Sequence, residues 1–173
     1  MNKLTVLKNM GFVITWKLIS IGVFGFDEIT PLLTRDDVLN YLSDLLSHNG
    51  KETDRIISLL CEKENPERFD VLLRNMASDD HSNITIQKRK WRAFLLHELL
   101  DQPHCDYMQG LLALMEFWVT IATTEDCPIV FPKDNDKEAI QKFFSQQSYD
   151  LCLKNNRAWL DGEVAAIAKA DDL

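Results

Sequence analysis

The sequence predicts an all-α protein that folds as one domain of stacked antiparallel helical hairpins. Three observations support this fold class. Only 6 glycines and 5 prolines occur in 173 residues, so few positions interrupt a helix. Apolar residues recur three and four positions apart through most of the chain, and residues that favour helix N-termini precede these segments. The length suits one domain, which we expect to span residues 1–173.

Capping residues define the predicted helices of the first half. Thr15 is placed to cap a short helix over residues 16–21, which Gly22 and Gly25 end. Thr34 caps the next helix, whose first turn holds acidic residues that favour the positive end of the helix dipole. The remaining predicted elements are a helix capped by Thr53, a helix starting at Asn65-Pro66 and an exposed loop over Ser78–Asn83. Thr5–Val6 and Phe12–Ile14 are the only stretches with a strand-like pattern, and we do not expect them to form strands.

The second half contains the best-marked helix, Gln87–Leu100, which Pro103 ends. Asp106–Ala122 is apolar almost all round and predicts a central, buried helix. Thr123–Lys133 carries two prolines and predicts an irregular crossing before two closing helices over residues 136–144 and 149–169. Short helices joined by short loops resemble a HEAT or armadillo stack, or an irregular bundle, because no fixed sequence period is present.

The charge of the chain is acidic and uneven. There are 19 Lys+Arg and 27 Asp+Glu residues, a formal net charge of −8. Residues 1–100 carry a net charge of −1, and residues 101–173 carry −7. Nucleic-acid binders present basic surfaces, so DNA and RNA are poor partners for this one. An acidic surface instead attracts basic proteins, although it also serves solubility alone.

The cysteines and the apolar segments indicate a cytoplasmic protein. Cys61, Cys105, Cys127 and Cys152 are widely spaced and form no C-x-x-C pair, which is typical of free thiols in a reducing compartment and argues against a zinc site. The N-terminal apolar stretch is interrupted by Lys17 and lacks a cleavage signal. The run Leu111–Ala122 is too short to span a bilayer. We therefore expect no membrane association and no cofactor or metal.

Three sequence patterns suggest chemistry, and each has a simpler structural interpretation. His97-Glu98 resembles the first half of a metalloprotease H-E-x-x-H motif, but Asp101 stands where the second histidine would be. His104-Cys105-Asp106 holds a base, a thiol and a carboxylate, which more often mark a helix start than a catalytic group. Glu116 lies in an apolar helix, where pairing with Arg89, Arg92 or Arg157 is favoured over a role in proton transfer.

Lys88-Arg89-Lys90-Trp91-Arg92 is the chain's one basic cluster, and an aromatic residue lies within it. Such a patch can follow a phosphate backbone. Trp91 also fits the apolar stripe of its helix, so we expect the charges to form a solvated first turn instead.

Three stretches together carry a family resemblance. They are Ile14-Thr15-Trp16-Lys17 followed by Gly22, Lys90-Trp91-Arg92 running into Leu95-Leu96, and the apolar helix and crossing Leu111–Pro132 with Pro128. The combination resembles a family of small, acidic, largely uncharacterised helical bacterial proteins. Some helical proteins of this size and acidity are immunity proteins of contact-dependent growth inhibition systems. The resemblance implies a shared helical fold and carries over no catalytic residue.

This resemblance and the charge lead to one functional hypothesis. The chain would be an immunity protein, not an enzyme, that blocks the active site of a cationic nuclease toxin domain from a secreted bacterial effector with an acidic surface. The expected partner-binding residues are Asp101, Asp106, Glu125, Asp126, Asp134, Asp136 and Glu138, with Asp161 and Glu163 as further candidates. Two alternatives remain open: a helical adaptor for another protein, and an enzyme that uses Glu116 or His97 with Asp101.

Overall fold

The fold is all-α, as predicted. The computed structural model describes residues 2–47, 53–121, 126–132 and 136–171, and nine helices lie within them: α1 Lys3–Asn9, α2 Trp16–Phe24, α3 Arg35–Ser47, α4 Thr53–Cys61, α5 Pro66–Asp79, α6 Ile84–Asp101, α7 Tyr107–Thr120, α8 Lys137–Phe143 and α9 Gln146–Asp171. These ranges contain no strand, only one antiparallel bridge between Phe26 and Ile29. None of the described helices combines the length and apolarity needed to cross a membrane.

The helices form two compact units. The first unit comprises residues up to Trp91 together with the chain from Ile167 onward, and the second comprises Arg92–Ala166. In the first unit, α2 packs on α5, α1 packs on α3, and α4 packs on both α3 and α5. This division into units does not test the prediction of a single domain, which stays a prediction.

Three of the predicted helix starts are confirmed by their caps. The Thr15 hydroxyl accepts the Leu18 N–H at 3.1 Å and begins α2. Asn65 does the same for α5 by accepting the Arg68 N–H, with proline in the first turn. At α3 the cap is reciprocal, since the Thr34 hydroxyl accepts the Asp37 N–H at 3.1 Å while the Asp37 carboxylate accepts the Thr34 N–H at 2.8 Å. Such paired caps satisfy backbone donors that the first turn leaves unbonded.

As expected, neither Thr5–Val6, which lies in α1, nor Phe12–Ile14, which is irregular, forms a strand. Two other local predictions are wrong. Gly22 does not end α2, which continues to Phe24, and Gly25 forms the C-cap with a φ of +79°. The segment Ser78–Asn83 is not simply an exposed loop, because its first two residues complete α5.

Asp80 in that segment is partly buried and holds the start of α2. Its carboxylate accepts the Lys17 N–H at 2.8 Å and the Ser82 N–H at 2.8 Å. Burial raises the pKa of Asp80, but these hydrogen bonds outweigh it and leave the pKa below its ordinary value. A carboxylate far away in sequence thus supplements the Thr15 cap.

Candidate functional site

In the second unit, one face of α7 packs against α9. Trp118 is fully buried, and its indole N–H donates to the Asn156 side-chain oxygen at 2.7 Å. The Asn156 amide donates in turn to the Cys152 carbonyl at 2.8 Å. Trp159 meets the Trp118 ring edge-on at 4.8 Å between centroids, and a Cβ at Gly110 would collide with the Tyr149 ring. These contacts orient α7 about its own axis and decide which face it leaves open.

The opposite face of α7 carries an exposed apolar stripe. Met108, Leu112 and Val119 are 39%, 50% and 70% exposed, and their spacing places them on one side of the helix with half-buried Met115. The expectation of a central, buried helix is therefore wrong. The sequence shows the spacing 108, 112, 115 and 119. Because the inner face of α7 is also apolar, this spacing does not stand out as a separate stripe.

The predicted acidic residues that the structure describes are on the surface. Asp101, Asp106, Asp126, Asp136 and Glu138 are all exposed. Asp106 accepts the Gln109 N–H and begins α7, while Asp136 accepts the Ala139 N–H and begins α8, each at 2.9 Å. Among the further candidates Asp161 is exposed and Glu163 half-buried. Glu125 and Asp134 lie outside the described residues.

These carboxylates give the second unit a marked negative charge. Residues 92–166 contain 6 Lys+Arg and 12 Asp+Glu, a net charge of −6 out of −8 for the chain. Asp101 and Glu138 make no ion pair within the described ranges. Glu116, another exposed residue, borders the apolar stripe. An apolar stripe and unpaired carboxylates thus share the surface of this unit.

None of the candidate catalytic residues is fully buried. Glu116 is exposed, so neither the predicted arginine pair nor a buried proton-transfer group is present in the described part of the chain. His97 is half-buried, whereas Asp101 and Cys105 are exposed. A search of the described residues found no group of three His, Cys, Asp or Glu side chains that could hold a metal ion.

Three residues of the basic cluster make contacts within the first unit. Lys88 pairs with Asp27 at 2.6 Å. Lys90 is 0% exposed, pairs with Asp171 at 2.7 Å and donates to the Val13 carbonyl at 2.9 Å. The Trp91 indole donates to the Leu18 carbonyl at 2.9 Å. The expectation of a solvated first turn is therefore wrong at Lys90, which is a buried structural cation.

Comparison with known proteins gives one match. No curated protein and no solved structure matched the chain. A sequence model of the family described as "Uncharacterized protein conserved in bacteria (DUF2247)" matches residues 4–164. This range includes nearly all of both units and agrees with the expected resemblance to uncharacterised bacterial proteins. The chain therefore belongs to this bacterial family.

Proposed function

We propose that this protein is an immunity protein that works by binding another protein. The surface of its second unit would dock on the basic toxin domain of a secreted bacterial effector and cover the toxin's active site. The cationic groove of a nuclease fits this role, because such a groove normally holds a polyanion. Cytoplasmic location follows from the proposal, since the toxin would act there.

The observation that carries the proposal is the apolar stripe of α7 beside exposed carboxylates. Soluble proteins seldom leave neighbouring large apolar side chains exposed without a binding role. Protein interfaces commonly combine an apolar centre with a polar rim. Met108, Leu112 and Val119 would supply the centre, and Asp106 and Glu116 would lie at the rim. This arrangement supports protein binding more directly than charge alone.

The acidic charge adds a preference for a basic partner. Complementary charge steers encounter and raises association rates, and salt screens this effect. A net charge of −6 in residues 92–166 would therefore speed association with a cationic toxin domain. The stripe would then determine how slowly the complex dissociates.

The test uses the toxin domain of the secreted effector encoded beside this protein. Co-expression with that domain measures protection of growth, and surface plasmon resonance at two salt concentrations measures binding. The variant carrying Asp101→Asn, Asp106→Asn, Asp136→Asn and Glu138→Gln removes four charges and keeps both caps, since asparagine also caps helices. We expect its association rate at low salt to fall about tenfold.

A second variant, Leu112→Asp, places a charge in the stripe. We expect affinity to fall by about 30-fold or more, as at a central interface residue. The matched controls lie in the first unit: Val71→Asp, which also alters an exposed aliphatic residue, and the charge set Glu28→Gln, Asp54→Asn, Glu64→Gln and Glu67→Gln. Full growth protection by both second-unit variants would refute the role of this surface in toxin binding. Binding without growth protection would refute the immunity role and favour an adaptor.

A further inference from the structure

A cavity of about 610 Å³ opens in the first unit. Residues of five segments line it: the end of α1, the connection into α2 with the first turn of α2, α3, α4, and the end of α5 with the two residues after it. Its volume lies within the range of small-molecule sites, which is about 300–1,000 Å³. None of the residues proposed above for partner binding belongs to it.

The walls of this cavity are largely apolar and aromatic. Phe12, Trp16, Leu42 and Ile56 are buried residues that line it. Two aromatic rings and branched aliphatic side chains suit a ligand with an aryl body, since aromatic pairs add to the gain from burial alone. Leu45 is half-buried and also lines the cavity, so it is a position where a larger side chain would occupy the space.

Tyr41 gives the cavity a hydrogen-bond donor on a largely buried side chain. This residue is 8% exposed and lines the cavity, yet its hydroxyl has no partner in residues 2–47, 53–121, 126–132 or 136–171. Burial raises the pKa of Tyr41, so the hydroxyl remains protonated and can donate. Its oxygen is not one of the fully buried, unpartnered polar atoms of the described residues, so the hydroxyl is accessible and can donate to a ligand acceptor.

The charged groups of the wall leave one cation available. Asp79 pairs with Arg55 at 3.6 Å. Asp80 already accepts backbone N–H groups, as described above. Lys8 lines the cavity and is exposed, and its ammonium group makes no ion pair or hydrogen bond within the described residues. His81 also lines the cavity and is exposed. The available donors are therefore the Tyr41 phenol, the Lys8 ammonium group and the His81 imidazole, which together suit a carboxylate.

We propose that this cavity binds a small carboxylate with an aryl-alkyl body. The aryl group would lie against Phe12 and Trp16, and the carboxylate would accept from the Tyr41 hydroxyl and face the Lys8 ammonium. The cavity shares no residue with the proposed toxin-binding surface, and this proposal does not depend on that one.

The test is calorimetric titration of the full chain with 4-phenylbutyrate and with its amide, which has the same shape and no charge. We expect saturable binding of the carboxylate and binding of the amide at least about fivefold weaker. Tyr41→Phe removes the donor with little change in shape and should weaken carboxylate binding about five- to tenfold, the value of one hydrogen bond. Lys8→Gln should abolish the preference for the carboxylate over the amide.

Filling the cavity gives the decisive comparison. Leu45→Trp should abolish binding, whereas Leu46→Trp, at the adjacent position outside the cavity lining, should keep it; thermal unfolding establishes that each variant is folded. Lys63→Gln is the control for the charge removed in Lys8→Gln, and Tyr107→Phe is the control for the hydroxyl removed in Tyr41→Phe. Both should keep carboxylate binding. Absence of saturable binding, or binding unchanged in Tyr41→Phe and Leu45→Trp, would overturn the site. Equal binding of the amide would overturn its assignment to an anion.

Discussion

Lys90 shows how much one side chain contributes when it is fully buried. It connects α6 with the carbonyl of Val13 and with Asp171, whose side chain is 11% exposed. Removing one partner of a buried pair leaves the other charge uncompensated, which costs more than the pair itself contributes. By contrast, the Lys88–Asp27 pair lies at the surface, with side chains 27% and 43% exposed. Exposed pairs contribute little because water and salt screen them.

The expected consequence is a large difference between two neighbouring lysines. Lys90→Met should lower the free energy of unfolding by about 3–5 kcal/mol, and Lys88→Met by about 1 kcal/mol or less. Urea denaturation followed by circular dichroism measures both values. Adding Asp171→Leu to Lys90→Met should recover most of the loss, because the stranded carboxylate is gone. A double variant no more stable than Lys90→Met would show that the pair is not the cause.

At the scale of elements, α2 must approach its neighbours closely. A Cβ at Gly22 would collide with the Trp91 ring and lie 2.8 Å from a Leu33 methyl group. The Gly22 carbonyl also accepts the N–H groups of Leu32 and Leu33 at 2.7 and 2.8 Å. Gly22 is therefore required because α2 packs closely against Trp91 and Leu33 at this position, and it does not end the helix. Gly162 in α9 differs, since a Cβ added there would have no atom of another residue within 4 Å beyond its own helix backbone and chain neighbours.

Alanine substitution at these two glycines should have opposite effects. Gly22→Ala should destabilise the protein by about 1–3 kcal/mol, because a packed interior has no room for the methyl group. Gly162→Ala should stabilise it by about 0.5–1 kcal/mol, the difference in helix propensity. Thermal unfolding measures both. A neutral Gly22→Ala would mean that Trp91 and Leu33 can move apart at no cost.

The same elements show what could be predicted from sequence. Helix starts at Thr15, Thr34 and Asn65 were predictable because a cap acts within three residues. The burial of Lys90 was not, because its partner Asp171 is remote in sequence and local spacing shows only a basic cluster. The α7 stripe was misinterpreted as core, since spacing alone does not say which apolar face meets another helix. The cavity could not be predicted, because five separate segments line it.

At the scale of the whole molecule, the uneven charge affects stability. Residues 92–166 hold most of the negative charge, and the exposed carboxylates Asp101 and Glu138 have no ion-pair partner in the described ranges. Like charges close together repel in the compact state, and salt weakens that repulsion over about 8–10 Å. Because residues 92–166 carry a net charge of −6, the second unit gains most from screening.

Adding sodium chloride at neutral pH should therefore stabilise the protein. We expect the midpoint of thermal unfolding to rise by a few degrees between low and about 0.15 M salt. The midpoint of the variant that neutralises Asp101, Asp106, Asp136 and Glu138 should rise less with salt. The control variant with the four neutralised carboxylates of the first unit should show a rise closer to that of the parent chain. A midpoint that falls with salt would show that attractive pairs outweigh repulsion.

The Lys90–Asp171 pair also has a consequence for synthesis on the ribosome. Lys90 is translated 81 residues before Asp171, and both belong to the first unit. While the intervening residues emerge, the ammonium group has no counter-charge and would not be buried favourably. We therefore expect the Lys90 side chain to become buried only after the last turn of α9 has left the exit tunnel.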